Sequence, residues 1–467
     1  MADRYWIETL GCPKNQVDSD KLVGTLVTDG LVAAEAPEEA DLVVVNTCAF
    51  IEAARQESID TVLELADLRR QGARLVVTGC MAERYGDELA DALPEVDLVA
   101  PFGAALTGSR RVAVPTAGTP VTLGTKPEAP RVPSFDLLNL PRPAAAAPWS
   151  YIKIAEGCDR NCGFCAIPSF RGKQRSRTTE SILAEVDQLA GPDGGLREVV
   201  LVAQDLSSFA LDRSTGRTEP RIDGPAIGAN RPIVELVAAV AARVRWTRLL
   251  YLYPSTLDDA LVEAILATGV PYFDLSLQHV SRPLIKRMRR WGDGDRFLER
   301  IATIRSAEPT AAFRSSFIVG YPGETEADHD HLLEWIAEAQ LDWTGFFPFS
   351  NEVGTYASEL DGQIPDELVA ERLRECTELQ DSITAARREA LIGATVEILV
   401  DSPGEGRTYR EAPEIDGIVT LSETAPVGSL VNAVITGADG PDLCADVVGG
   451  TDSGQHRSAP AVSGVLR

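Results

Sequence analysis

Three times in its first hundred residues this chain repeats one arrangement: an apolar, β-rich run, a Cys just beyond it, and a stretch with helical periodicity. The runs are Tyr5 to Leu10 before Cys12, Asp41 to Asn46 before Cys48, and Arg74 to Thr78 before Cys80; the helical stretches cover about 17–28, 51–70 and 83–93. Alternating strand and helix demands a parallel sheet, because right-handed crossovers return each strand in the same direction and put all C-terminal strand ends on one edge. The three Cys are therefore expected together at that edge, where open α/β sheets hold their ligands. A lone Cys is more often a small buried hydrophobe, but three at equivalent strand ends read as ligands.

A Pro-rich stretch, 114–148, reads as a linker that closes an N-terminal domain of residues 1–113. From Tyr151 a second series begins. Its strands are expected at Tyr151 to Ala155, Glu198 to Ala203, Arg248 to Tyr253, Tyr272 to Leu277, Arg314 to Val319 and Trp343 to Pro348. Six such units suggest a partial (β/α)6 barrel over 149–390, with 366–390 as a closing helix and the Gly/Pro-rich 214–232 as a surface insertion. After Gly393 the pattern changes to short alternating strands, as at Val396, Ile398 and Val400. This predicts a small antiparallel β-barrel over 391–450, followed by a disordered polar tail, 451–467. The fold class is thus multidomain α/β: a parallel sheet domain, a partial barrel and a small antiparallel barrel.

Lys plus Arg is 44 and Asp plus Glu is 70, a net charge of −26. Such a surface repels a phosphate backbone, so nucleic acid is a disfavoured partner and a basic protein a favoured one. From Thr395 onward eleven Asp or Glu stand against four Arg, and the turn with Glu411, Glu414 and Asp416 is expected to face that basic partner. No apolar run approaches the ~20 residues of a membrane span, and the first residues lack a basic-then-apolar leader, so a cytoplasmic location is expected. Four His leave little room for imidazole chemistry, and eight Cys are too sparse for a disulfide scaffold. Their clustering points to metal or redox work.

The densest chemistry is Cys158-Asp-Arg-Asn-Cys162-Gly-Phe-Cys165, directly after the first barrel strand. Three thiolates on one tight loop can ligate three irons of a 4Fe–4S cluster; no fourth Cys is near, so the fourth iron would stay open. A zinc site or unligated cysteines is the alternative. Cys376 and Cys444 have no such partners and read as buried structural residues. Gln204 and Asp205 end the second barrel strand, while Gln278 and His279 end the fourth, where barrel chemistry sits; turn capping or core hydrogen bonding would place them there equally well.

Taken together, Cys12-Pro-Lys-Asn-Gln-Val-Asp-Ser, Asn46-Thr-Cys-Ala-Phe-Ile, Thr78-Gly-Cys80, the Cys158 loop with Ala166-Ile-Pro-Ser-Phe-Arg-Gly172, Leu277-Gln-His279 and Gly320-Tyr-Pro-Gly-Glu-Thr-Glu326 resemble a radical S-adenosylmethionine (SAM) methylthiotransferase. The resemblance covers nearly the whole chain, the last barrel being similar to a TRAM domain. Cys12-Pro-Lys-Asn, Cys48-Ala-Phe-Ile and Glu411-Ala-Pro-Glu-Ile-Asp-Gly417 are similar to the branch that modifies small-subunit ribosomal protein S-twelve. The branch that modifies adenosine in tRNA is its nearest relative.

The resemblance implies a methylthio group placed on the β-carbon of one aspartate of that ribosomal protein. That C–H is unactivated, so a radical is needed. Two 4Fe–4S clusters are implied, a catalytic one on Cys158, Cys162 and Cys165 and a sulfur-holding one on Cys12, Cys48 and Cys80. Two SAM per turnover, as cosubstrate and radical source, and an external electron donor are implied with them. Phe164 is implied against the adenine, with a packing aromatic as the alternative; Gln204 and Gln278 at their strand ends, and Arg314 and Gly320 flanking the fifth strand, are expected in the SAM pocket, with a structural role as the alternative. Family members have a Tyr-Gly pair shortly after the Gln-Asp, whereas this chain has Phe209-Ala210. The competing readings are a tRNA adenosine methylthiotransferase and a non-enzymatic iron–sulfur carrier or sensor. An open iron and a full-length barrel argue against the carrier, which needs neither.

Overall fold

The computed structural model describes residues 3–107, 137–191, 195–213 and 231–448. The chain divides into two compact units: Met1–Pro143 with Glu156–Cys158 and Ala166–Lys173, and Ala144–Ala155 with Asp159–Cys165 and Gln174–Arg467.

The first unit is built on a five-stranded parallel sheet in the order Val32–Ala33, Arg4–Thr9, Leu42–Thr47, Arg74–Gly79, Leu98–Val99. Leu42–Thr47 is buried along its whole length. Val43 and Val45 pack with Val62 and Leu65 of the helix Glu52–Leu68, while Leu42 and Val44 pack with Leu22 and Leu26 of the helix Pro13–Thr28. Two covered faces explain why that strand reads as a continuous apolar run rather than an alternating one. The strand order reverses between Arg4–Thr9 and Leu42–Thr47, and in open α/β sheets such a switch point opens a crevice at the C-terminal edge.

The expected linker needs correcting at its C-terminal end. Residues 108–136 lie outside the described residues, but 137–143 lie against the helix Pro13–Thr28. The buried Lys21 ammonium donates to the carbonyls of Leu138 at 2.8 Å and Leu140 at 3.2 Å, and Arg142 pairs with Asp20. A Cβ on Gly24 would stand 2.3 Å from the Pro141 carbonyl oxygen, so glycine alone permits the approach.

In the second unit six parallel strands follow one another in chain order: Trp149–Lys153, Glu198–Val202, Trp246–Leu249, Tyr272–Gln278, Ala312–Val319 and Trp343–Pro348. Two three-stranded sheets meet through a bridge between Leu252 and Leu275, giving the open barrel. Leu201, Phe273, Phe313 and Phe317 form its core with Leu236, Leu261 and Trp335 from the surrounding helices. The helix Asp366–Glu389 follows the last strand. Of the expected insertion, 214–230 lies outside the described residues, as does the tail 451–467. Among the described residues no helix is long and apolar enough to cross a membrane.

The C-terminal strands Thr395–Ser402, Glu405–Arg407, Val419–Leu421, Leu430–Asp439 and Asp442–Val447 close into a barrel. It is antiparallel except where Val419–Leu421 runs parallel to Asp442–Val447. The intervening strand reverses the chain twice, which brings those two neighbours into the same direction. Cys376 is buried, but Cys444, expected buried, is exposed, because alternate residues of Asp442–Val447 face outward.

This barrel shows where the charge reading fails. Glu411 is fully buried and accepts from Arg388 at 2.5 Å, while Asp416 meets Arg314 at 3.4 Å and the Tyr272 hydroxyl at 2.6 Å. Tyr151 donates to the Pro413 carbonyl at 2.8 Å. Glu411 and Asp416 thus bind the small barrel to the large one instead of facing a partner; of the three expected carboxylates, Glu414 stays at the surface. Glu198, Tyr272 and Trp343 each begin a strand of the large barrel, so the small barrel docks under the strands' N-terminal ends.

Candidate functional site

Cys12, Cys48 and Cys80 follow three neighbouring parallel strands, at the edge the repeat implied. Cys12 caps the helix Pro13–Thr28 in an extended conformation, and Cys80 opens the helix Cys80–Ala92. Asn15 holds the strand ends together, its Nδ2 donating to the carbonyls of Leu10 at 2.9 Å and Thr47 at 3.1 Å. The Cys48 backbone N–H donates to Ser58 Oγ at 3.1 Å.

A cation that the sequence reading did not single out lies among these thiols. Arg171 donates through Nη2 at 3.0 Å and Nε at 3.3 Å to Cys80 Sγ, and through Nη2 at 2.7 Å to Asn15 Oδ1. Its Nη1 donates to both carboxylate oxygens of Glu156 at 2.9 Å and to Asp18 at 3.3 Å, and the guanidinium lies 4.8 Å from the Phe102 ring centroid. The side chain is 3% exposed. Burial pushes the Cys48 thiol up to about 12, helped by the neighbouring Cys12 and Cys80 charges and opposed by Arg171. Burial acts on Cys12 in the same direction, yet Lys14, Arg171 and the first N–H groups of its helix outweigh it and hold that thiol below its ordinary value. The thiols thus sense one another and one shared cation.

Of the second Cys set, Cys158 is buried in the first unit, its N–H donating to the Gly172 carbonyl at 3.1 Å. Cys162 and Cys165 lie in the second unit, where the Cys165 N–H donates to the Cys162 carbonyl at 3.1 Å. Between them Gly163 is clamped: its N–H donates to the Met288 carbonyl at 2.8 Å, and its carbonyl accepts from the Ala357 N–H at 2.7 Å. A Cβ there would come within 2.9 Å of Tyr356 and 3.1 Å of the Tyr321 hydroxyl. Arg290 Nη1 donates to Cys162 Sγ at 3.1 Å, and its Nη2 donates to the Ser276 carbonyl. Tyr253 lies between Arg290 and Arg160, their guanidinium carbons 4.3 and 3.9 Å from its ring centroid. Arg160 pairs with Asp205 at 2.6 Å.

Among the described residues no three His, Cys, Asp or Glu side chains already stand at metal-holding geometry. The fit of each Cys set to an iron–sulfur cluster is therefore one of donor chemistry. Soft thiolates, each set having one guanidinium on a sulfur, suit iron–sulfur ligation.

The expected SAM residues separate. Phe164 packs against the cluster of Leu284, Met288, Ile318 and Tyr321. Gln204 lies two residues past its strand, and Gln278 ends its own in a left-handed conformation, φ 73°, uncommon for a side-chain-bearing residue. Gly320, just past the fifth strand, lines a cavity of about 470 Å3 with Phe349, Asn351 and Val369. Arg314 does not join it. It lies near the start of that strand, paired with Asp274 at 3.1 Å and with Asp416, so its expected place in the SAM pocket is corrected to one under the barrel. His279 is buried, accepts at Nδ1 from the Ser281 N–H at 3.0 Å and is pushed by burial down to about 3. It is neutral at physiological pH, which suits the core reading.

The Phe209-Ala210 departure has a local price in conformation. Phe209 is buried in the barrel core, and Ala210 adopts φ 61°, a region costing an L-residue about 1–2 kcal/mol. Ala210→Gly is expected to stabilise by about 0.5–1 kcal/mol after glycine's larger chain entropy is deducted. A rise in the urea midpoint at unchanged slope checks this.

Known proteins match along most of the length. Residues 4–101 match the uncharacterized protein family UPF0004, 152–336 the radical SAM superfamily and 392–448 the TRAM domain. The ribosomal protein uS12 methylthiotransferase RimO of Moorella thermoacetica is 40% identical over 440 residues, 93% of this chain and 96% of that protein. The protein of the same name from Salinispora tropica is 41% identical over 500 residues, 95% of each chain. A radical SAM match implies a 4Fe–4S cluster and SAM.

Proposed function

The chain belongs to the ribosomal protein uS12 methylthiotransferase family, and from that premise we propose that it places a methylthio group on the β-carbon of one aspartate of uS12, the small-subunit protein its relatives are named for. The catalytic cluster belongs on Cys158, Cys162 and Cys165, and a second one on Cys12, Cys48 and Cys80. When bound, the clusters and SAM supply the one-electron chemistry an unactivated C–H bond requires, together with the sulfur and the methyl group.

The chain's own residues do the positioning. The clamp on Gly163 fixes the loop between Cys162 and Cys165, and Arg290 holds a charged donor on the Cys162 sulfur. Arg160, locked by Asp205, and Arg290 stack on Tyr253 beside that sulfur, forming a preorganised cationic wall for an anionic group such as the SAM carboxylate. Asn15 ties together the strand ends that carry Cys12 and Cys48. An external low-potential donor supplies the electrons, and eight Cys too sparse for a disulfide scaffold suit the cytoplasm.

The observation that favours a basic protein over RNA is the fate of the small barrel's cations. Within residues 395–448 the only Lys or Arg are Arg407 and Arg410. Arg407 is taken up by Glu198 and Asp401, and Arg410 is 12% exposed near Asp342. A barrel that grips RNA presents cations to phosphates. Purified, cluster-loaded enzyme offered uS12 and unmodified tRNA in parallel is expected to add about 46 Da to the protein, for H replaced by SCH3. Methylthioadenosine on the tRNA with unmodified uS12 would overturn this choice of substrate.

A further inference from the structure

Arg171 comes from the segment Ala166–Lys173, six residues beyond the last Cys of the Cys158 loop, yet it serves the other Cys set. Its donors are all engaged. Two reach Cys80 Sγ, and the rest reach Asn15, Asp18 and Glu156. Two carboxylates outnumber the one guanidinium, and that excess is characteristic of a cation built to stay charged and fixed. A brace needs only those carboxylates; the fork on a thiol does something more.

We propose that Arg171 is the positioning residue of the second cluster, its two N–H groups on the Cys80 sulfur favouring the cluster's more reduced state. The inference rests on the reading that Cys12, Cys48 and Cys80 hold a 4Fe–4S cluster. One-electron reduction by an external donor adds one negative charge to the cluster, and hydrogen bonds to ligand sulfur stabilise that added charge. The same cation lies closest to Cys80, which its fork touches, and favours the thiolate form of Cys12 and Cys48 as well.

The test uses the full chain with Cys158, Cys162 and Cys165 replaced by Ala, reconstituted so that only the second cluster is present. Its midpoint potential is read by titration with titanium(III) citrate, followed by electron paramagnetic resonance. Arg171→Gln is expected to lower the reduced-to-oxidised ratio at a fixed poise about tenfold, a shift of about 59 mV to more negative potential for one electron. Arg171→Lys keeps the charge but loses the two-pronged geometry, and is expected to shift in the same direction by less. Unchanged potentials in both variants, or positive shifts, overturn the proposal. If Arg171→Gln loses its iron, Arg171→Lys decides alone: a negative shift supports the assignment and no shift overturns it. An iron-free parent overturns both this inference and the cluster reading beneath it, and is told apart from the other failures by the iron assay alone.

Discussion

Replacing Glu198 with Ala is expected to lower folding stability by about 3–5 kcal/mol, the cost of leaving buried guanidiniums without their carboxylate. Glu198 is fully buried, with one oxygen 2.7 Å from Arg248 Nε and the other 2.8 Å from Arg407 Nη1. Arg248 belongs to the large barrel and Arg407 to the small one, so this carboxylate fastens both. The urea midpoint should fall, and Glu198→Gln, which keeps the shape but not the charge, should fall by a similar amount. A loss below about 1 kcal/mol, the range of exposed pairs, would show that the buried network is not what joins the barrels.

The same carboxylate makes a pH prediction. Burial raises its proton affinity, but Arg248 and Arg407 outweigh burial and leave Glu198 below its ordinary value of 4.5; Arg388 does the same for Glu411. A carboxylate whose folded value is depressed stabilises fully above the unfolded value and loses that contribution as pH falls through the folded one. Stability should therefore decline on acidification below pH 4.5, and more steeply in the wild type than in Glu198→Ala. Parallel slopes would remove Glu198 from the acid response.

Replacing Cys158, Cys162 and Cys165 together with Ala is expected to stop reductive SAM cleavage, a loss of about 10⁶-fold or more, to background. 5′-Deoxyadenosine measured after reduction reads it. Iron should drop from about eight to about four per chain, because the second set of thiols is untouched. Replacing Cys12, Cys48 and Cys80 instead should leave 5′-deoxyadenosine formation in place and end methylthio transfer. A triple variant of the second set that still modified uS12 normally would remove it from the chemistry.

The parallel architecture was legible in the sequence because periodicity records which faces are covered. Leu42–Thr47 reads as a strand buried on both sides, and of the six barrel strands three begin on the expected residue, Glu198, Tyr272 and Trp343, and three begin two residues earlier. The position of Cys12, Cys48 and Cys80 at one sheet edge was legible because each follows a strand of the same repeat. Charge was not, since a carboxylate's letter does not say whether an arginine waits for it. The Glu411, Glu414 and Asp416 turn reads as an acidic surface, while Arg388 and Arg314, which bury two of its members, come from a distant helix and strand. Arg314 was misplaced for a geometric reason: a strand has two ends, and only the C-terminal one faces the chemistry. Arg171 stood in the quoted Ser-Phe-Arg-Gly run, but Arg290 carried no mark that separates it from other arginines.

Between Pro143 and Gln174 the chain changes units after Pro143, Ala155, Cys158, Cys165 and Lys173. The segment that carries Cys158, Cys162 and Cys165 is therefore divided, residue by residue, between the two units. A gene truncated at Pro143 would encode the sheet and its three thiols without Glu156 and Arg171, and one beginning at Ala144 would carry those two residues into a product with no sheet to receive them. A crossover inside these thirty residues would part Glu156 and Arg171 from the sheet whose thiols they serve, so the two stretches have to travel as one reading frame.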